Sequence, residues 1–207
     1  VETQRAEPPP TKSVAELRKA AAGCRACPLW EDATQTVFGA GATKARVMLV
    51  GEQPGDQEDR QGLPFVGPAG AVLRRAIDAA ELALDELYVT NVVKHFKWKA
   101  RGPRRIHDTP NEREVAACSP WLHAEIDLVR PGALVCLGAT ASRALLGRGF
   151  RLTRQRGAFV ESDLAPLVTA TIHPSAILRG PKEDRDATFQ GLVDDLTMVR
   201  RAVRTAA

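Results

Sequence analysis

Four short apolar runs, each followed by a stretch of helical periodicity, constrain this chain more than any other feature. The runs are Ala45–Val50, Leu87–Val93, Ala133–Leu137 and Leu167–Ile172. Such short apolar runs suit strands buried on both faces. Helices are expected at Ser13–Ala22, Ala69–Ala80, from Thr109 to about Val129, at Ala141–Leu146, and from Lys182 to about Val203. Ser13 with Glu16, and Thr109-Pro110-Asn111-Glu112, read as capping signals. Strands alternating with helices predict a parallel sheet covered on both faces. The expected fold class is α/β: a three-layer sandwich around a central, mainly parallel four-stranded sheet. At 207 residues the chain suits one domain, taken as residues 13–207. A polar, Pro-rich tail at 1–12 is expected to be disordered.

In sheets of this kind the ligand site lies beyond the carboxyl ends of the strands. Polar residues stand at those ends: Glu52 and Gln53 after the first, Asn91 near the end of the second, His173 after the fourth. Their convergence is expected from strand order alone.

Composition narrows the partners only slightly. The net charge of +4 and pI near 9.1 tolerate a nucleic-acid partner without demanding one. No run of about 18 apolar residues predicts a membrane span, and the first ten residues lack a signal-peptide core. An intracellular, reducing location is the expectation. There, four cysteines are read as free or metal-bound.

Cys24-x-x-Cys27 is compatible with a redox pair, a zinc knuckle, a cluster site or chance. Cys118 falls in the first turns of the helix opened at Thr109. Cys136 sits inside an apolar strand and reads as structural. Three cysteines leave one vacancy, which His95 could fill. Between Lys94 and Asp108, the cations Lys94, Lys97, Lys99, Arg101, Arg104 and Arg105 are interleaved with Phe96 and Trp98. Cations beside aromatics suit phosphates and unstacked bases, although a solvated surface loop has the same composition. His107 ends this loop, where Arg104 and Arg105 should keep its imidazole neutral and nucleophilic. His173, before Pro174, could donate a hydrogen bond to a developing anion. His123 carries no assigned role. Gly51-Glu52-Gln53-Pro54-Gly55 matches neither common nucleotide-binding glycine motif.

Taken together, these segments resemble the uracil-DNA glycosylase superfamily. Gly51-Glu52-Gln53-Pro54-Gly55 resembles its loop after the first strand, and Gly62-Leu63-Pro64-Phe65-Val66-Gly67 its uracil-stacking segment. Tyr88-Val89-Thr90-Asn91 resembles the uracil-reading strand. His173-Pro174-Ser175 with Leu178-Arg179 resembles the last catalytic motif. The match runs from about Cys24 to about Leu196. Within the superfamily, Gln53 and the segment Arg104-Arg105-Ile106-His107 are similar to the UdgX group, with Pro103 where that group has lysine.

The resemblance implies excision of uracil from DNA, followed by covalent attachment of the DNA to the protein in a single turnover. Implied catalytic residues are His107, Glu52, His173, Gln53 and Arg105. Gly51, Gln53, Phe65, Asn91 and His173 would form the uracil pocket. A flipped uracil would stack on Phe65 and pair its O4 and N3–H with Asn91. His173 would stabilise the uracil anion, Glu52 the sugar cation or a proton, and His107 would attack C1′. Gln53 would orient His107, and Arg105 would hold its loop. A [4Fe–4S] cluster is implied, with Cys24, Cys27, His95 and Cys118 as ligands. Lys94, Trp98, Arg101, Arg104 and Arg179 are the expected DNA contacts. The partner would be uracil-containing DNA, single strands included, and the protein a monomer. Three alternatives remain: an ordinary multiple-turnover glycosylase, a non-catalytic cluster-bearing DNA-binding module, and a zinc-containing α/β redox protein.

Overall fold

A computed structural model describes residues 3–205. The helices are α1 (Val14–Ala21), α2 (Leu29–Asp32), α3 (Asp56–Gln61), α4 (Pro68–Ala79), α5 (Glu112–Val129), α6 (Ala139–Leu146), α7 (Leu152–Gln155), α8 (Pro174–Arg179) and α9 (Arg185–Thr205). The strands are β1 (Ala40–Gly41), β2 (Val47–Gly51), β3 (Leu87–Asn91), β4 (Trp98–Arg101), β5 (Arg104–His107), β6 (Ala133–Leu137), β7 (Phe159–Val160) and β8 (Leu167–Thr171).

The four expected strands are present as β2, β3, β6 and β8, and they run parallel. Two-residue antiparallel strands cap the edges, giving six strands in the order β1-β3-β2-β6-β8-β7. The edge pairs are too short to leave an alternating pattern in the sequence. Strand side chains alternate between the faces. Met48 and Val50 pack with Leu17 of α1 and Trp121 and Leu122 of α5. Val47 and Leu49 pack with Leu73 and Ile77 of α4 and Leu192 and Leu196 of α9. These two apolar layers make the expected three-layer sandwich. The chain order reverses at β2, which lies between β3 and β6, so the crevice opens at the carboxyl ends of those strands.

Several local expectations shift. Ser13 caps α1, its Oγ accepting the Glu16 amide at 3.3 Å. The cap of α5 is Asn111 rather than Thr109. Asn111 Oδ1 accepts the Glu114 amide at 3.0 Å, and Glu114 Oε2 accepts the Asn111 amide at 2.7 Å. Pro120 lies inside α5. Residues 3–12 have no helix or strand but are tied to the domain. The Gln4 and Ala6 amides donate to the carbonyls of Ala26 and Ala117 at 2.7 and 2.9 Å, and Ala6 is buried. The first two residues of the expected tail lie outside the described residues. The basic segment expected as a loop is a hairpin, β4 paired with β5, with Trp98 opposite His107. Its two-residue turn is Gly102-Pro103, and Gly102 has the positive φ of 57° that the first position of a II′ turn requires. Among the described residues no helix is long and apolar enough to cross a membrane.

Candidate active site

The crevice at the strand ends is a cleft of about 810 Å³. Its floor comes from the parallel strands. Asn91 ends β3 directly opposite Gly51 at the end of β2. A β-carbon at Gly51 would come within 2.3 Å of Asn91 Oδ1 and 2.6 Å of the Phe65 ring. Only glycine leaves room for both. Asn91 is 2% exposed, and its Oδ1 has no hydrogen-bond partner in the protein. A buried acceptor left open costs about 1–3 kcal/mol unless a ligand fills it. Phe65 adopts a left-handed backbone, φ 56°, which is uncommon for an aromatic residue. Its ring lies 5.9 Å from that of His173, tilted by 33°.

His173 caps α8, and its Nδ1 accepts the Ser175 amide at 3.2 Å. The proton of the neutral ring therefore sits on Nε2. Burial pushes the imidazole down to about 4, against the pull of Glu52 and with a further push from Arg179 and His107. At neutral pH this is an uncharged N–H donor in the cleft.

At one wall of the cleft stands the end of the β4–β5 hairpin, which lines it through His107. His107, at its end, places Nε2 at 3.0 Å from Glu52 Oε1. The hydroxyl of Thr140, near the start of α6, donates to Glu52 Oε2. Burial pushes the Glu52 carboxyl up, but the hydrogen bonds from His107 and Thr140 outweigh it, and the group lies below its ordinary value. Glu52 is thus an anion gripped from two sides.

Two clamps hold the hairpin. The Gln53 side-chain amide donates to the carbonyls of Lys97 and Asp108 at 3.1 and 3.0 Å, and its Oε1 accepts the Lys97 amide at 3.0 Å. Arg105 reaches Asp56 at 2.5 Å and Asp59 at 2.7 Å, and lies over the rings of Phe96 and Trp98. These contacts revise two expectations. Gln53 lines the cleft, but its side-chain amide is engaged at both its nitrogen and its oxygen by the backbone flanking the hairpin. The cationic surroundings expected for His107 are reduced: Arg104 is unpaired among the described residues, but Arg105 meets two carboxylates and the imidazole faces a third.

Lys94 was expected to touch DNA; it is 1% exposed. Its ammonium pairs with Glu125 of α5 and donates to Thr90 Oγ1 at 2.7 Å and to the Asn91 carbonyl at 2.6 Å. It supports the floor from behind, and breaking such a buried pair costs about 3–5 kcal/mol. Trp98 is half-buried and donates its indole N–H to the Asp32 carbonyl at 2.9 Å. Arg101 and Arg104 are exposed at the hairpin tip, and Arg179 is exposed at the rim of the cleft.

Behind the hairpin, Cys24, Cys27 and Cys118 stand close enough for their thiolates to repel one another. Burial pushes Cys27 up and Cys118 up to about 12. Sulfur acceptors are already engaged: the Lys94 amide donates to Cys118 Sγ and the Trp121 indole to Cys24 Sγ, each at 3.2 Å. His95 Nε2 pairs instead with Thr36 Oγ1 at 3.0 Å, and burial pushes that ring down to about 4. Among the described residues no three His, Cys, Asp or Glu side chains converge as they would on a single ion. Cys136 is buried in β6, as its apolar run implies.

Sequence reasoning missed Thr140, Asp56 and Asp59. Applying the strand-end rule to β6, whose end leads into Gly138-Ala139-Thr140, would have found the first. The two aspartates carry no local signal, because their partner Arg105 lies 46 residues or more away in the chain.

The family described as the uracil DNA glycosylase superfamily matches residues 38–197. A type-4 uracil-DNA glycosylase of Sulfurisphaera tokodaii is 36% identical over 179 residues, covering 82% of this chain and 77% of the relative. A type-4 uracil-DNA glycosylase of Thermotoga maritima is 38% identical over 157 residues, covering 75% of this chain and 78% of the relative. The crystal structure of WT Pedobacter heparinus SMUG2 superposes with a TM-score of 0.53 at 13% identity, covering 78% of this chain and 77% of that one; it bears on the fold alone.

Proposed function

The chain belongs to the uracil-DNA glycosylase superfamily, and from that premise we propose that it excises uracil from DNA and is then joined to the DNA through His107. The carrying observation is the His107–Glu52 pair, 3.0 Å apart, on the wall above the floor formed by Asn91, Phe65 and His173. A uracil turned out of the stack would lie against Phe65. Asn91 Oδ1, buried and unpaired, is suited to accept from N3–H, with its amide N–H₂ donating to O4. Cytosine presents the opposite donor–acceptor order. The C1′–N1 bond breaks with its electron pair leaving on uracil, and the neutral His173 Nε2–H stabilises that anion. The Glu52 carboxylate stabilises the positive charge on the sugar. An imidazole nitrogen of His107 then gives its lone pair to C1′, and any proton displaced from the ring passes to Glu52. A nucleophile held at the wall outcompetes bulk water through proximity. Gln53 and Arg105 serve as positioning residues for His107.

The cysteine corner fits a [4Fe–4S] cluster through the soft thiolates of Cys24, Cys27 and Cys118 and their N–H···S donors. His95 serves as fourth ligand only if it turns from Thr36. The cluster would supply structure rather than redox chemistry, tying the N-terminal segment to α5 behind the hairpin. The active unit is taken as one domain, residues 13–207, working as a monomer on uracil-containing strands.

The test is a denaturing gel of the protein with a uracil-containing oligonucleotide. A heat-stable protein–DNA band in proportion to protein is expected, and His107→Ser should abolish the band while free abasic DNA appears. Multiple turnovers with no band would establish the ordinary glycosylase instead.

A further inference from the structure

Net positive charge in this chain is concentrated in two segments, and the structure pairs them to different extents. In the hairpin segment, Lys94, Lys97, Lys99 and Arg105 all meet carboxylates: Glu125, Glu114, Asp108, and Asp56 with Asp59. That leaves Arg101 and Arg104, exposed at the hairpin tip, as the segment's unpaired cations among the described residues. The second segment lies between Asp127 and Glu161. It contains six arginines, no lysine and no acidic residue. The chain's formal net charge is +4, so everything outside this segment is negative by two. Arg148 pairs with Glu112, and Arg156 with Asp195. Arg130 is at the far end of the sheet, just before β6 begins. Arg143, Arg151 and Arg154 are exposed, and none has a carboxylate within 4.0 Å among the described residues.

None of these three arginines lines the cleft, but each lies close in the chain to a residue that does. Leu152, between Arg151 and Arg154, lines it, as do Ala139 and Thr140, which begin the helix that carries Arg143. Arg148 fixes the segment to Glu112, five residues from His107. Arg151 is held rather than free: its amide donates to Gln155 Oε1 at 2.6 Å, and its guanidinium to the Arg148 carbonyl at 3.1 Å. Buried Phe150 anchors the turn before it.

We infer that Arg143 on α6, Arg151 just before α7 and Arg154 on α7 form the main contact with the sugar-phosphate backbone of the DNA strand that enters the cleft. The hairpin, expected from sequence to bind DNA, instead serves mainly to position His107. The inference rests on the uracil-DNA reading for its partner, but its test does not depend on excision. Guanidinium groups pair phosphates in bidentate fashion, and each phosphate neutralised on a single strand adds about 0.7 to the slope of log K against log salt.

The experiment is fluorescence anisotropy with a labelled uracil-free single-stranded oligonucleotide over a series of salt concentrations. Arg143→Gln, Arg151→Gln and Arg154→Gln combined should lower the slope by about two and weaken binding at low salt at least tenfold. A control removes the same charge from the opposite end of the sheet: Lys44→Gln, Arg130→Gln and Arg204→Gln. It should leave the slope within about 0.5 of the wild type. Circular dichroism verifies that both triple variants remain folded. If the two triples lower the slope equally, or if the first leaves it unchanged, the inference is wrong. A second set, Arg101→Gln with Arg104→Gln, should have the smaller effect; a larger one would return the contact to the hairpin. If the protein binds DNA in this way yet excises no uracil, the fault lies with the proposed function and not with this surface.

Discussion

The floor and the wall of the cleft are built by different physics. Asn91 and His173 stand at the ends of parallel strands, and the strand pairing Gly51–Asn91 and the cap of α8 fix their backbones. His107 stands on a two-stranded hairpin outside the main sheet, 42% exposed at its side chain. An isolated hairpin is marginal in water. This one is held by polar side chains, the Gln53 amide and the Arg105 fork, rather than by burial. Under the proposed function, base reading and bond cleavage would belong to the central sheet, and capture of the sugar to a clamped appendage. The two should be separable by mutation.

The largest effect is expected on the floor. Asn91→Ala leaves N3–H and O4 of uracil without partners, about 1–3 kcal/mol each, or roughly 10²–10⁴-fold in excision. Single-turnover excision assays measure this directly. A loss under fivefold would remove Asn91 from the reading role and weaken the contrast. On the wall, Gln53→Ala deletes three hydrogen bonds to the hairpin backbone. Covalent capture should slow by about ten- to a hundredfold, as misplacement of a reacting group by an ångström can do. Excision should change far less. Equal losses in both rates would show that floor and wall are one mechanical unit.

How much of this was legible in the sequence follows the same division. The four central strands read clearly, because β2 and β6 are buried along their whole length and therefore apolar throughout. Floor residues followed from the strand-end rule. The wall did not. Trp98–Arg101 and Arg104–His107 show little burial and no apolar alternation, so nothing marked them as strands. Lys94 read as one more cation in a basic run. Its burial depends on Glu125, 31 residues later and on another element, and no local pattern reports such a pair. The charge-free-of-acid segment from 128 to 160 was visible in the sequence, but only the ion pairs of the structure show which of its arginines remain available.

A smaller effect tests the floor's electrostatics. Burial pushes His173 down to about 4, whereas an unfolded imidazole titrates near 6.5. Between those values the unfolded chain binds more protons than the folded one. Stability should therefore rise as pH climbs from about 4 to 6.5, and level off above, with this residue contributing a slope of at most about 1.4 kcal/mol per pH unit. Urea denaturation of the wild type and His173→Gln at pH 5 and pH 7 compares the two. The variant should lose less stability on acidification. An identical loss would place the titration elsewhere and leave His173 without its buried, neutral character.

The smallest effect on function should come from Cys136→Ser, which should leave metal content unchanged, and it sharpens the contrast between the sheet and the corner behind the hairpin. Cys136 is the fourth of the five residues of β6, fully buried, and burial alone pushes its thiol up to about 12. The hydroxyl brought in by serine would lie in an apolar layer, at a cost of about 1–3 kcal/mol in stability. Iron and sulfide per chain should be unchanged, at about four of each if the cluster is present. Cys118→Ser should instead strip the metal, because it removes a buried sulfur that already accepts the Lys94 amide. Iron lost from Cys136→Ser, with Cys118→Ser unaffected, would reverse the assignment and move the metal from the corner into the sheet. Zinc in place of iron in the wild type would keep the cysteines but discard the cluster.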